Sequence, residues 1–459
     1  MITKLAGAGI AAAAVATMST ITVSMPAAME VAPVPAVSET ADVAALLAAA
    51  RGAPPLICAL ATRSVGGWGW ERFDAPSTPL GMVVTERDRE MEVRDLAAAD
   101  VALLLEGLDA QDPCVRELSV RLLGQQESPA VTSALTTRLT AADPATRAVA
   151  ALGLGLLDEH ASVDPLVRAL GDADASVRAN AAWALGRIED RRALQPLVAL
   201  VRDGQVMVRE AAVIALGHLE ASEPVETLVR VLQQDESPRV RRAAAWALGQ
   251  IEARESAAAL AAALGKEADA RVREMMAWAL GEIESADAIG ALGAALRRDA
   301  DERVRETAAW ALGQIEDRAA NEVLAAAAGN DASSRVRGTA AWALGQINDD
   351  NHRAPAGLLR VLTDQSRDAR LKAAWSLGQI GDPATTAAIR DAIRTEQDVE
   401  VRRALVRALM KSGDRSEQTL NELLSSTDAE VREAVVRGLA GRSSFNPWPW
   451  PQPRPRPFP

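Results

Sequence analysis

An arginine returns along this chain every 30 to 33 residues, and that recurrence restricts the fold more than any other feature. The registers are Arg116, Arg147, Arg178, Arg209, Arg241, Arg273, Arg305, Arg337, Arg370, Arg402 and Arg432. Around them the phrase Ala-Ala-Trp-Ala-Leu-Gly recurs at 181–186, 244–249, 308–313 and 340–345. Self-similarity at a fixed period of this length is the signature of stacked supersecondary units, each too small to bury its own apolar face.

Each period reads as two helices and two turns. Asp112, Asp143, Asp174, Ser237, Asp269, Asp301, Ser333, Ser366, Asp398 and Asp428 precede the second helix, where a short polar side chain can accept from the first free N–H groups. Pro113, Pro144 and Pro238 follow directly, at a position where the missing N–H costs nothing. Only Gln205 breaks the capping pattern. Val177, Ala181, Ala184, Leu185 and Ile188 fall within about 100° of arc and form the core stripe. Leu194, Leu197, Val198 and Val201 mark the first helix of the following unit.

The motif Val-Arg-x-x-Ala-Ala-x-Ala-Leu-Gly-x-Ile resembles that of the HEAT repeat family, in the variant called phycobilisome-lyase-like repeats. The resemblance spans about residues 94–442 and implies an all-α fold, an α-solenoid of about eleven two-helix repeats. It also implies that an acid before the second helix pairs with the helix arginine. Asp172, Asp203, Asp235, Asp299, Asp331 and Asp364 stand six residues before their arginines, with Glu267 and Glu396 substituting. The arginine row is therefore read as struts between units rather than as a row of anion sites.

Trp183, Trp246, Trp278, Trp310, Trp342 and Trp375 lie five residues after their arginines, with Ile214 in the corresponding place of one unit. On a helical wheel Trp183 is about 145° from the centre of the core stripe. The resemblance places the second helix on the concave side, so the indoles are expected along the inner groove. Gln250, Glu282, Gln314, Gln346 and Gln379 follow four residues later, joined by Arg187 and His218. Together these Trp, Gln and Glu residues form the candidate partner-binding stripe, since Trp concentrates binding energy at interfaces. The competing reading is that each indole lies on the Ala surface of its neighbour and is packing alone.

Catalytic, cofactor and metal sites are not expected. The three histidines, His160, His218 and His352, have no metal-ligand spacing, and no zinc-protease helix, nucleophile elbow or phosphate loop occurs. HEAT-fold iron hydroxylases are similar in shape but use several His-Glu pairs that this chain lacks. The excess of 62 acidic over 50 basic residues argues against a nucleic-acid partner. Cys58 and Cys114 can pair as a disulfide or remain as two buried thiols.

Residues 1–28 read as a signal peptide or membrane anchor, with Lys4 ahead of an uncharged run from Leu5 to Met29. The expected location is therefore exported: periplasmic or attached to the cell envelope. Residues 29–93 read as a linker and N-terminal cap, and 443–459 as a disordered Pro/Trp/Arg-rich tail. Arg407 and Arg437, which replace Trp in the last two units, suggest a polar end to the array. The functional expectation is a non-catalytic scaffold that binds a protein or extended peptide on its concave face. The alternatives are an accessory to a chromophore-lyase reaction, as the resemblance implies, or an envelope spacer linked to a membrane sensor.

Overall fold

The computed structural model describes residues 42–54, 96–347 and 352–440. The expected leader or anchor at 1–28, most of segment 29–93 including Cys58, and the 443–459 tail lie outside the described residues.

Every regular element among the described residues is helical. A short helix, α1 (Val43–Ala50), precedes the array. The first helices of the units, called A, are α2 (Ala98–Gly107), α4 (Pro129–Arg138), α6 (Val163–Ala169), α8 (Leu194–Leu200), α10 (Val225–Gln234), α12 (Ala257–Leu264), α14 (Ile289–Arg298), α16 (Asn321–Asn330), α18 (Ala356–Val361), α20 (Thr386–Thr395) and α22 (Glu417–Leu424). The second helices, called B, are α3 (Pro113–Leu123), α5 (Pro144–Leu157), α7 (Ala175–Ile188), α9 (Val206–His218), α11 (Pro238–Gln250), α13 (Ala270–Ile283), α15 (Glu302–Ile315), α17 (Ser334–Gln346), α19 (Arg367–Ile380), α21 (Val399–Lys411) and α23 (Ala429–Leu439). Eleven hairpins therefore follow one another, the solenoid that the arginine period implies.

Helix starts follow the capping logic in part. Asp112, Asp143, Asp174, Asp269, Asp301, Ser366, Asp398 and Asp428 accept backbone N–H groups of their B helices. Ser237 and Ser333 occupy the same position without a side-chain cap bond. Helix ends are less ordinary. Asp158, Glu189, Glu220, Glu252, Glu284 and Glu316, each just after a B helix, have φ between 46° and 56°. L-residues rarely adopt that left-handed region, and each costs on the order of 1 kcal/mol.

Successive B helices lie against one another along their length, whereas successive A helices meet much less. The stack therefore curves with its B helices inside. Small residues permit this close approach. A methyl group added to Gly186 would lie 2.7 Å from Ala215 Cα, and one on Gly155 equally close to Ala184 Cα.

The two ends of the array differ. At the start, α1 buries Val43, Leu47 and Ala50 against the first unit, and Gly52 N–H donates to the Asp112 carboxylate at 2.8 Å. Cys114, on α3, is buried and disulfide-bonded. At the other end the expected polar termination is corrected. Val436 and Leu439 on α23 are 56% and 45% exposed. Arg437 stands between two uncovered apolar side chains, so the replacement of Trp by Arg does not make the end face polar.

Candidate functional site

The inner face is built from the joints between units. In the middle of the array, the Nε atom of each arginine, in most cases with Nη2, reaches the carboxylate in the turn between the A and B helices of the next unit. Arg147 donates to Asp172 at 2.7 and 2.8 Å, and Arg273 to Asp299 at 2.7 and 2.9 Å. The same forked geometry joins Arg178 to Asp203, Arg209 to Asp235, Arg241 to Glu267, Arg305 to Asp331 and Arg370 to Glu396. Arg337 pairs with Asp364 in the same register. The acid six residues before an arginine thus serves the arginine of the preceding unit. Its backbone carbonyl accepts from its own arginine, as Asp172 O does from Arg178 Nη1 at 2.9 Å.

These pairs are partly or wholly withdrawn from water, and a bidentate guanidinium–carboxylate bond is among the stronger polar contacts. The bond from Arg147 holds the Asp172 carboxyl below its usual range against the opposing effect of burial. At Asp299 burial is the larger influence and acts upward, but Arg273 and backbone N–H groups together outweigh it. Both acids therefore contribute stability at neutral pH that is lost as pH falls through their lowered values.

The indoles form the second half of each joint. Trp310 and Trp342 are fully buried, Trp183, Trp246 and Trp375 nearly so, and Trp278 is half-buried. Each packs on the glycine of the preceding B helix. A methyl group on Gly281 would lie 2.6 Å from Trp310 Cζ3, and one on Gly217 2.5 Å from Trp246 Cζ3. Gly155, Gly249, Gly313 and Gly345 receive Trp183, Trp278, Trp342 and Trp375 in the same way. This corrects the expectation of an open Trp stripe. The indole does leave its own hairpin's core, but it enters the neighbouring unit, where covering an aromatic face is favourable. Near the end the arrangement is inverted: Met410 replaces the glycine, and Gly438 of the next unit makes room for it.

What the inner face presents is the polar row one turn beyond the indoles. Arg187, His218, Gln250, Glu282, Gln314, Gln346 and Gln379 are all half-buried, one per unit on consecutive B helices. His218 meets Trp246 edge-on at 4.8 Å, and the Arg187 guanidinium lies 5.7 Å from the Trp183 ring. Burial, with a smaller contribution from Arg187, pulls the His218 pKa down to about 3, so this imidazole is neutral at physiological pH. A cavity of about 300 Å³ opens beside Gln346 and Gln379 and is lined also by Asn321, His352 and Arg353.

A row on the same face escaped the sequence reading. Glu210, Arg242, Glu274 and Glu306 follow their arginines directly and precede the Trp or Ile position by four, one helical turn. That spacing was the available signal. Glu210 and Glu306 pair with Arg239 and Arg335 of the next unit. Glu274 is buried, and desolvation raises its pKa to about 7 although Arg303 and Arg335 act to lower it. Among the described residues no group of three His, Cys, Asp or Glu side chains could hold a metal ion. No helix there is long and apolar enough to cross a membrane.

Against known proteins, the family of HEAT repeats matches at residues 101–171, 132–206, 199–281, 257–345, 289–371 and 355–440. No curated protein matches the sequence. Among solved structures, the Kap95:Nup1 complex is similar with a TM-score of 0.50 and 15% identity, over 75% of this chain and 57% of that one. An engineered protein gives 0.43 and 23%, over 75% of this chain and 99% of that one. The CpcE–CpcF complex of phycocyanin lyase from Nostoc gives 0.33 and 26%, over 52% and 91% respectively.

Proposed function

Since the chain belongs to the HEAT repeat family, we propose that it is a non-catalytic scaffold that binds an extended segment of a protein partner along its concave face. The observation that carries this reading is the partly exposed row of Gln250, Glu282, Gln314, Gln346 and Gln379. A carboxamide both donates and accepts, as a peptide backbone does. One polar group per unit, a carboxamide in four of these five and the carboxyl of Glu282 in the other, on helices fixed by struts and indoles, offers an extended chain evenly spaced contacts without a conformational cost to the scaffold. Trp278 adds one half-buried apolar contact within that row.

The test is site-specific photo-crosslinking in the organism that makes the protein. A crosslinker at Gln314 or Gln346 is expected to trap one discrete partner, and one at Glu322, on an outer A helix, is not. Substituting Gln250, Gln314 and Gln379 together by Ala is expected to abolish the product while the helical content stays unchanged. Equal trapping from Glu322 and Gln314, or none from the inner positions, rejects the reading.

The reading extends to location. Residues 1–28 direct the chain out of the cytoplasm, as a cleaved signal or as an anchor that holds it at the envelope. Mass spectrometry of the mature N-terminus, with cell fractionation, distinguishes these two outcomes from a retained, cytoplasmic chain.

A further inference from the structure

We propose that the open C-terminal end of the solenoid is a docking surface for the chain's own following segment, with Phe445, Trp448 and Trp450 covering α23. Val436 and Leu439 stand four and seven residues after Arg432. In every upstream unit those two registers hold apolar side chains no more than 3% exposed, such as Ala277 with Leu280 and Ala309 with Leu312. Only in the last unit do they open, to 56% and 45%, and Leu424 on α22 is 38% exposed as well. The final hairpin thus keeps the apolar pattern of an internal unit, and among the described residues no further unit covers it. A solenoid end of this kind requires a cap.

The chain itself supplies a cap of suitable chemistry at the required place. Described residues stop at Ala440, one residue beyond Leu439, and Phe445, Trp448 and Trp450 follow within ten positions. Five extended residues span about 17 Å, whereas Leu439 and Val436 are separated by only about 4.5 Å of helix. Phe445 can therefore turn back onto α23. Alternating prolines from Pro447 limit the conformations that must be given up on docking. Charge agrees: residues 441–459 carry Arg442, Arg454 and Arg456 and no acid, while Glu417 and Glu422 on α22 are exposed. Covalent attachment gives the segment an effective concentration on the order of millimolar, ahead of a second copy or a free partner. The opposite end sets the precedent, for there α1 closes the first unit with chain from outside the repeats.

The experiment uses the full chain and two sets of substitutions. Hydrogen exchange of α23 amides is compared between the natural sequence and Phe445→Ser/Trp448→Ser/Trp450→Ser, which leaves the repeats untouched. We expect α23 exchange to rise about tenfold, with α15 unchanged. In the reciprocal variant, Val436→Ser/Leu439→Ser, tryptic cleavage after Arg442 is expected to speed up several-fold; the bonds after Arg454 and Arg456 precede proline and resist trypsin. Sedimentation of the natural chain should report a monomer. Unchanged α23 exchange in the tail variant overturns the proposal. So does a dimer that Val436→Ser/Leu439→Ser dissociates and the tail variant does not, since a second copy would then occupy the end.

Discussion

Between Arg147 and Arg370 every joint holds an arginine–carboxylate pair, whereas the joint between the last two units holds neither that pair nor an indole. Ser426 stands where the acid should be, and Arg402 donates only to carbonyl oxygen of Glu396. Arg403 reaches Asp428 instead, at 2.8 and 3.1 Å. Arg437 replaces the indole, and the methionine–glycine contact of Met410 with Gly438 fills the space. Each feature of a joint thus takes one residue from each of two units, and at Met410 and Gly438 both members change together, whereas Arg402 stays although its acid has become Ser426.

The contrast is tested first by removing the arginines. Arg273→Ala leaves Asp299 buried without its guanidinium and is expected to cost about 3–5 kcal/mol locally. Arg402→Ala should cost only about 1 kcal/mol, since no carboxylate depends on it. Exchange rates in α13–α15 and α21–α23 measure the two separately, which is advisable because long arrays need not unfold in one step. Equal losses at both places would erase the distinction drawn here.

Glycine substitution is the next largest effect. Gly281→Ala forces a methyl group against Trp310 and Ala311 and should cost about 1–3 kcal/mol. Gly265→Ala, where nothing lies within 4 Å, should be neutral or slightly stabilising. Thermal unfolding of the two variants checks the order, and a tolerated Gly281→Ala would show that the indole is not seated as described.

The buried carboxyl of Glu274 gives a pH-dependent distinction between units. Its folded pKa is raised, so its contribution is present below the ordinary glutamate value of 4.5 and is lost as pH rises towards 7. His218 acts in the opposite sense: it loses stability as pH falls from 6.5 towards 3, because only the unfolded imidazole takes up the proton. Glu274→Gln should flatten the decline between pH 4.5 and 7, and His218→Gln the decline on acidification. Denaturant titrations at pH 4, 5.5 and 7.5 read both slopes, and an unaltered profile in either variant contradicts the assignment.

The smallest effect is expected where helices end. Glu189 is raised by burial and then by repulsion from Glu220 and Asp158, and its backbone is left-handed. Glu220→Gly relieves both strain and repulsion, for a gain of about 1 kcal/mol or less. Gly381 and Gly413 already occupy this position in later units, so the same exchange there has nothing to relieve. An unchanged melting temperature for Glu220→Gly would mean the left-handed turn is not strained.

The sequence by itself determined the period, the hairpin and the number of units, because each is written in local spacing: 3.6 residues per turn, a cap before each B helix, and a phrase repeated every 30 to 33 residues. It determined that Trp leaves its own hairpin but not where it goes, since a helical wheel gives a direction and no neighbour. Only the stacked structure decided that the indoles are buried on glycines, that each acid serves the preceding arginine, and that Val436 and Leu439 stand open. The physical reason is that burial belongs to pairs of surfaces. One unit's residues specify a face, and whether that face meets water or another helix is settled by the distance at which the next unit comes to rest.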